Sequence, residues 1–165
     1  MTMGPPRCSA CQKQFVRRAR RKGVLEVCLS LFFIYPFRCQ LCEQRFLALQ
    51  WGYRYVKKPA DARRYDRIPV RFPVTFYNEH VKGKGILLDL SIKGGVMEAA
   101  TPLQKDDVLC LRIPASDAHP PIEIEAAGVR WVSRTRAGLE FLTLDVKASA
   151  TLRSIIEKLS GGRYT

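Results

Sequence analysis

From residue 70 to 77, apolar and polar side chains alternate, with Val70, Phe72, Val74 and Phe76 on one face and Arg71, Pro73, Thr75 and Tyr77 on the other. Period two is the mark of a half-buried strand. Shorter apolar runs follow at 86–90, 96–98, 108–113, 122–126, 129–132 and 139–141, separated by Gly, Pro, Asp and Ser clusters that read as turns. Six or seven short strands predict a mainly β fold, a small antiparallel barrel or sandwich in which closure protects the strand edges. The period then changes. Leu152, Ile155, Ile156 and Leu159 recur at helical spacing, with Asp145 placed to cap and Gly161-Gly162 placed to stop, so one amphipathic C-terminal helix is expected.

The first sixty residues are patterned differently. Leu47, Leu49, Trp51, Tyr53 and Tyr55 occupy alternate positions, which predicts a strand with one apolar, aromatic face. Upstream, the segment from Val24 to Phe37 is too short and interrupted to span a bilayer, which requires about twenty apolar residues. It is also too apolar for a surface helix with one buried face, and a small domain has little core to receive it. The expectation is therefore that Val24 to Phe37 meets a partner, most simply a second copy of the chain, with a membrane surface or a fold back onto the aromatic strand as alternatives. Lys57 to Ala62 reads as a linker, because Pro59 argues against a continuous strand. The domains expected are 1–56, the linker 57–62, and 63–165.

Six cysteines change the picture of the N-terminal module. Cys8-Ser9-Ala10-Cys11 and Cys39-Gln40-Leu41-Cys42 are two CxxC pairs, and four thiolates so arranged suit tetrahedral zinc, each tight turn supplying two adjacent ligands. All-thiolate sites favour zinc over harder metals, although iron takes the same geometry. A redox dithiol and a reducible disulfide pair remain open, but no βαβ context accompanies them. The 27 residues between the pairs exceed a compact ribbon's spacing, so an insert containing one short helix is expected. Cys28 and Cys110 lie in apolar stretches and read as buried core thiols.

Two further strings carry candidate chemistry. Arg63-Arg64-Tyr65-Asp66-Arg67 stands just before the first alternating strand, and Asp89-Leu90-Ser91-Ile92-Lys93-Gly94 just after the second. Together they resemble the RxxxR and (D/N)xSxxG signatures of the PilZ family, bacterial β-barrel domains that bind the second messenger cyclic di-GMP. Gly128 to Trp131 followed by Gly138 to Phe141 is similar to the closing strands of such a barrel; plain core packing is the simplest reading of Trp131 and Phe141 themselves. The resemblance implies a ligand site at Arg63, Arg64, Arg67, Asp89, Ser91 and Gly94. The motif arginines Arg63 and Arg67 would clasp phosphate and guanine, Asp89 would accept from a guanine's N–H edge, Ser91 would add a hydroxyl contact, and Gly94 would let the chain turn. The chemistry is apt for a dianion with two guanines, since a guanidinium fork satisfies phosphate or the O6/N7 edge bidentately. The N-terminal stretch that ends at Arg45-Phe46 resembles a zinc-ribbon segment found at the N-termini of some bacterial proteins.

Charge adds a second class of partner. The 165 residues hold 28 Lys+Arg against 15 Asp+Glu, and residues 1–62 hold 12 against 3. A basic N-terminal module, with Arg17 to Lys22 as its densest cluster, attracts nucleic acid or an anionic membrane surface. Catalysis finds little support: the histidines are His80 and His119, both in expected loops, and no Ser-His-Asp, HExxH or phosphate-cradling glycine motif is present. No signal peptide is evident, and paired CxxC turns suit the reducing cytoplasm. The reading is a non-enzymatic cytoplasmic receptor in which cyclic di-GMP binding by the barrel repositions the zinc ribbon and its partner. The alternative is a nucleic-acid- or protein-binding zinc-ribbon adaptor whose barrel takes no ligand.

Overall fold

Three short strands and one helix build the N-terminal unit of the computed structural model, which describes residues 6–51, 65–114 and 121–161. The chain divides into two units, Met1–Asp66 and Arg67–Thr165. The expected linker 57–62, Tyr53 and Tyr55 lie outside the described residues, as do His119 and Gly162. In the first unit, β1 (Val16–Arg18), β2 (Ile34–Cys39) and β3 (Arg45–Leu49) form an antiparallel sheet in the order β1-β2-β3, and α1 (Gly23–Leu31) fills the β1–β2 connection. Phe15, Val16, Phe37 and Leu41 are buried with Cys8 and Cys39, a core so small that little else can enter it.

The apolar run from Val24 to Phe37 is therefore not one element. Its second half enters the sheet, with Ile34 opposite Leu49 and Phe37 opposite Phe46, so it does fold back onto the aromatic strand. Pro36 could not have continued a helix. The first half forms α1 and buries none of its residues. Phe32 caps α1, and Phe33 takes the left-handed conformation (φ 59°) usually left to glycine, reversing the chain into β2. Phe33 packs against Trp51 as a tilted pair with ring centroids 4.2 Å apart. Leu47, Leu49 and Trp51 are exposed, so the apolar face expected of this strand points to solvent. Cys28 is likewise exposed, because it sits on a helix with no buried side.

The second unit is a closed six-stranded antiparallel barrel, as the alternation predicts. Its strands are β4 (Ile68–Tyr77), β5 (Lys82–Ser91), β6 (Gly94–Ala99), β7 (Val108–Ile113), β8 (Ile122–Ser133) and β9 (Arg136–Leu144), closed in the order β4-β5-β6-β9-β8-β7. Val74, Phe76, Leu87, Leu90, Met97, Leu109, Leu111, Ile113, Ile124 and Leu139 fill the interior from alternate positions. The runs 122–126 and 129–132 are one strand. Gly128 does not end β8 because its neighbours on both sides hold it, Val108 on β7 and Glu140 on β9, while register shifts between Ile124 and Trp131 absorb the irregularity.

Three expected core residues lie elsewhere. Trp131 is 40% exposed and lies across Gly138 on the neighbouring strand, where a Cβ would collide with its indole; Phe141 does pack inside. Cys110 is half-buried on the outward face of β7, its thiol donating to the Glu125 carbonyl at 3.1 Å, because Leu109 and Leu111 take the inward positions. Beyond β9, α2 (Val146–Ser160) packs against β8 and β4. The Asp145 carboxylate caps it, accepting from the Ala148 amide at 2.7 Å. Ala148, Leu152, Ile155 and Ile156 face the barrel, while Leu159 is 38% exposed in the last turn, where Ser160 takes the buried position instead.

Candidate functional site

Four cysteines meet in the N-terminal unit. The Sγ atoms of Cys8, Cys11, Cys39 and Cys42 all lie within 4.8 Å of one another, with Cys8–Cys42 at 3.5 Å and Cys11–Cys39 at 3.6 Å. Ligands about 2.3 Å from a tetrahedral zinc sit roughly 3.8 Å apart, so the donor set fits that ion in number, softness and spacing. The two CxxC turns are built alike. Cys8 N–H donates to the Lys13 carbonyl and Cys39 N–H to the Gln44 carbonyl, both at 2.9 Å, and the residue after each second cysteine, Gln12 or Glu43, is left-handed (φ 59° and 66°). Sequence reasoning missed these two positions because neither is glycine, the residue that usually signals such a conformation.

Amide donors converge on the sulfurs. Leu41 N–H and Cys42 N–H point at Cys39 Sγ at 3.4 and 3.5 Å. Burial nonetheless pushes the Cys39 thiol up to about 12. Cys42 is raised by the same cause. Burial also acts to raise Cys8, but the amides of Cys11 and Ala10 and the Cys42 and Cys11 thiols outweigh it and bring Cys8 down to about 7. A dication is what would hold all four as thiolates at neutral pH.

The second CxxC turn also anchors the middle of the arginine motif. Tyr65 Oη donates to Glu43 Oε2 at 2.9 Å, and the Asp66 amide donates to Gln40 Oε1 at 2.7 Å. Arg17 Nη1 lies 2.8 Å from Asp66 Oδ1. Burial and the Glu43 carboxylate both hold the Tyr65 phenol above its ordinary range. The unit boundary falls at the next peptide bond, inside the motif.

Arg67 opens the barrel unit. β4 pairs with β5 so that Pro69 lies opposite Asp89 and Ile68 opposite Leu90, which brings the two motif strings together across one strand pair. Arg67 Nη1 is 3.0 Å from Asp89 Oδ1 and 3.4 Å from Oδ2, with both side chains about a fifth to a quarter exposed. Asp89 Oδ1 also accepts from the Val96 amide at 2.8 Å, which fixes the carboxylate on the β5–β6 hairpin. Ser91 is buried and its hydroxyl donates to the Gly94 carbonyl at 3.0 Å, holding the turn. Gly94 (φ 155°) lies against the Leu139 carbonyl, where a Cβ would collide, so it serves a close strand approach. Arg63 and Arg64 lie outside the described residues. Among the described residues the geometry thus joins Arg67 and Asp89, both partly exposed, and leaves Ser91 and Gly94 buried in the β5–β6 turn.

The second unit is thus a small closed antiparallel barrel that carries the end of an arginine segment at its first strand and an Asp-x-Ser-x-x-Gly hairpin beside it. The PilZ domain matches residues 61–158, more than half of the sequence, and the chain belongs to the PilZ domain family. No curated protein matches it. Solved structures share the fold at low identity. The inhibitor of motility (MotI/DgrA) of Bacillus subtilis is 18% identical, with a TM-score of 0.52 and 79% of this chain and 69% of that one covered. YcgR of Escherichia coli, solved in complex with c-di-GMP, is 18% identical, with a TM-score of 0.52 and coverages of 77% and 64%. The PilZ domain of CeSA from a cellulose-synthesizing bacterium is 17% identical over 58% of this chain and 98% of that one, with a TM-score of 0.47.

Proposed function

We propose that this protein is a cyclic di-GMP receptor whose barrel takes the ligand at Arg63, Arg64, Arg67 and Asp89, with Ser91 and Gly94 shaping the hairpin beneath. The observation that carries the reading is the Arg67–Asp89 pair. Two polar groups, each able to meet one half of a guanine nucleotide, sit together beside the β4–β5 strand pair of a PilZ barrel. YcgR, which shares the fold, was solved with c-di-GMP bound. In the free protein Arg67 and Asp89 satisfy each other; the ligand would exchange that bond for phosphate or O6/N7 on the arginine and N1–H/N2–H on the carboxylate. Ser91 is read as a turn-holding residue because its hydroxyl is already committed to Gly94.

Binding would be coupled to a structural zinc ribbon held by Cys8, Cys11, Cys39 and Cys42. Asp66 and Tyr65 are held by Gln40, Arg17 and Glu43 of that ribbon, and Arg67 follows with no intervening residue. Movement of Arg67 onto a ligand therefore acts on a chain segment whose other end is fixed at the second CxxC turn. For this to shift the ribbon, the ligand must bind one arrangement better than the other. Calorimetric titration with cyclic di-GMP tests the first claim, and no heat with folded protein refutes it. Hydrogen exchange at residues 8–51 with and without ligand tests the second. Asp66→Asn should keep the binding and blunt the exchange response, and an identical response in that variant refutes the coupling.

A further inference from the structure

The α1 helix faces the wrong way for a water-soluble ribbon. Its two polar side chains are turned inward. Glu26 is held by Arg45 of β3, Nη2 to Oε2 at 2.8 Å, and accepts from the Lys22 amide, while Ser30 donates to the Val27 carbonyl at 2.6 Å. Glu26, Leu29 and Ser30 are the partly covered positions, one stripe at helical spacing. The opposite arc is apolar and open: Val24 is 77% exposed, Leu25 73%, Leu31 75% and Phe32 69%. Leu47 and Leu49 extend the surface, since alternation puts them on the sheet face that carries Arg45, and both are exposed. Folding alone would have reversed this orientation, because each large apolar side chain left in water forgoes burial.

Charge selects the occupant. Arg20, Arg21 and Lys22 are exposed and directly precede the helix, and Arg18 and Arg21 stack over Tyr35 at 3.5 and 5.9 Å from the ring centroid. A second copy docked through this face would bring two such cationic clusters together, whereas an anionic bilayer offers acyl chains to the apolar arc and headgroups to the arginines. The adjoining rings of Phe33 and Trp51 suit the same boundary, where aromatic rings gather. No helix among the described residues is long and apolar enough to cross a bilayer, which leaves α1 to lie in the interface plane. We propose that the outward face of α1, with Arg20 to Lys22 at its start, docks the N-terminal unit onto an anionic lipid surface.

Flotation of the full chain with phosphatidylglycerol–phosphatidylcholine vesicles and with phosphatidylcholine vesicles tests this, with light scattering in parallel. The expected result is binding to the anionic vesicles that weakens with salt. Leu25→Asp/Leu31→Asp, at exposed positions that leave the fold intact, should lower the affinity by about a hundredfold or more. Arg20→Gln/Lys22→Gln should lower it by about thirtyfold. Equal flotation of the Leu25→Asp/Leu31→Asp variant would reduce the effect to plain electrostatics and overturn the docking face. Absence of wild-type flotation also overturns it. So does a dimer that scattering shows to be lost in the leucine variant, which would make a second copy the occupant, or salt-sensitive binding of DNA fragments that displaces the vesicles.

Discussion

Arg67 and Asp89, twenty-two residues apart in sequence, form an ion pair at 3.0 Å on the barrel, one from the arginine segment and one from the β5–β6 hairpin. As a partly exposed pair it adds little to stability, on the order of 0–1 kcal/mol. Its position matters more to the proposed function, in which a nucleotide would meet both groups side by side.

Arg67→Ala should therefore leave the barrel folded and weaken cyclic di-GMP binding. Charge-assisted bonds contribute about 1.5–3 kcal/mol each, so a loss of roughly tenfold to a few hundredfold is expected by calorimetry. An unchanged affinity in Arg63→Ala/Arg67→Ala would remove these arginines from the site.

One zinc per chain is expected on elemental analysis, held by Cys8, Cys11, Cys39 and Cys42. Metal binding should supply most of the folding free energy of so small a core, so a chelator should melt residues 6–51 while the barrel resonances persist. Cys39→Ser/Cys42→Ser should abolish retention. Cys28→Ser and Cys110→Ser should not change it, since neither joins the cluster.

The left-handed Gln12 offers a finer check on the same turn. Gln12→Gly should hold zinc as well as the wild type against a competing chelator, while Gln12→Val should be destabilised by about 1–2 kcal/mol, the cost of forcing a β-branched residue to φ 59°.

Glycines in the barrel should separate sharply. At Gly94 a methyl group meets the Leu139 carbonyl, a backbone atom that cannot yield, so Gly94→Ala should lose about 3 kcal/mol or more and disturb β6–β9 pairing. At Gly128 the nearest atom is the end of the Leu142 side chain, 3.4 Å away, and Gly128→Ala should lie within about 1 kcal/mol of wild type. Thermal unfolding of the two variants gives both values, and equal melting temperatures would contradict the distinction.

The local chemistry of the chain sufficed for much of this protein. Alternation at Val70 to Tyr77 marked β4, Asp145 marked the start of α2, and the CxxC spacing marked the four sulfurs that cluster, because each signal depends only on backbone periodicity or on residues a few positions apart. Other features were decided between distant segments. Gly128 stays inside a strand because β7 and β9 hold it from both sides, and Trp131 leaves the core to cover Gly138 on β9. The run from Val24 to Phe37 could be seen to be too apolar for its surroundings, but not where it would divide or which side would face water. Tertiary pairing decided that: β3 takes Ile34 to Phe37 into the sheet, and Arg45, by binding Glu26, turns the polar side of α1 inward and its apolar side out.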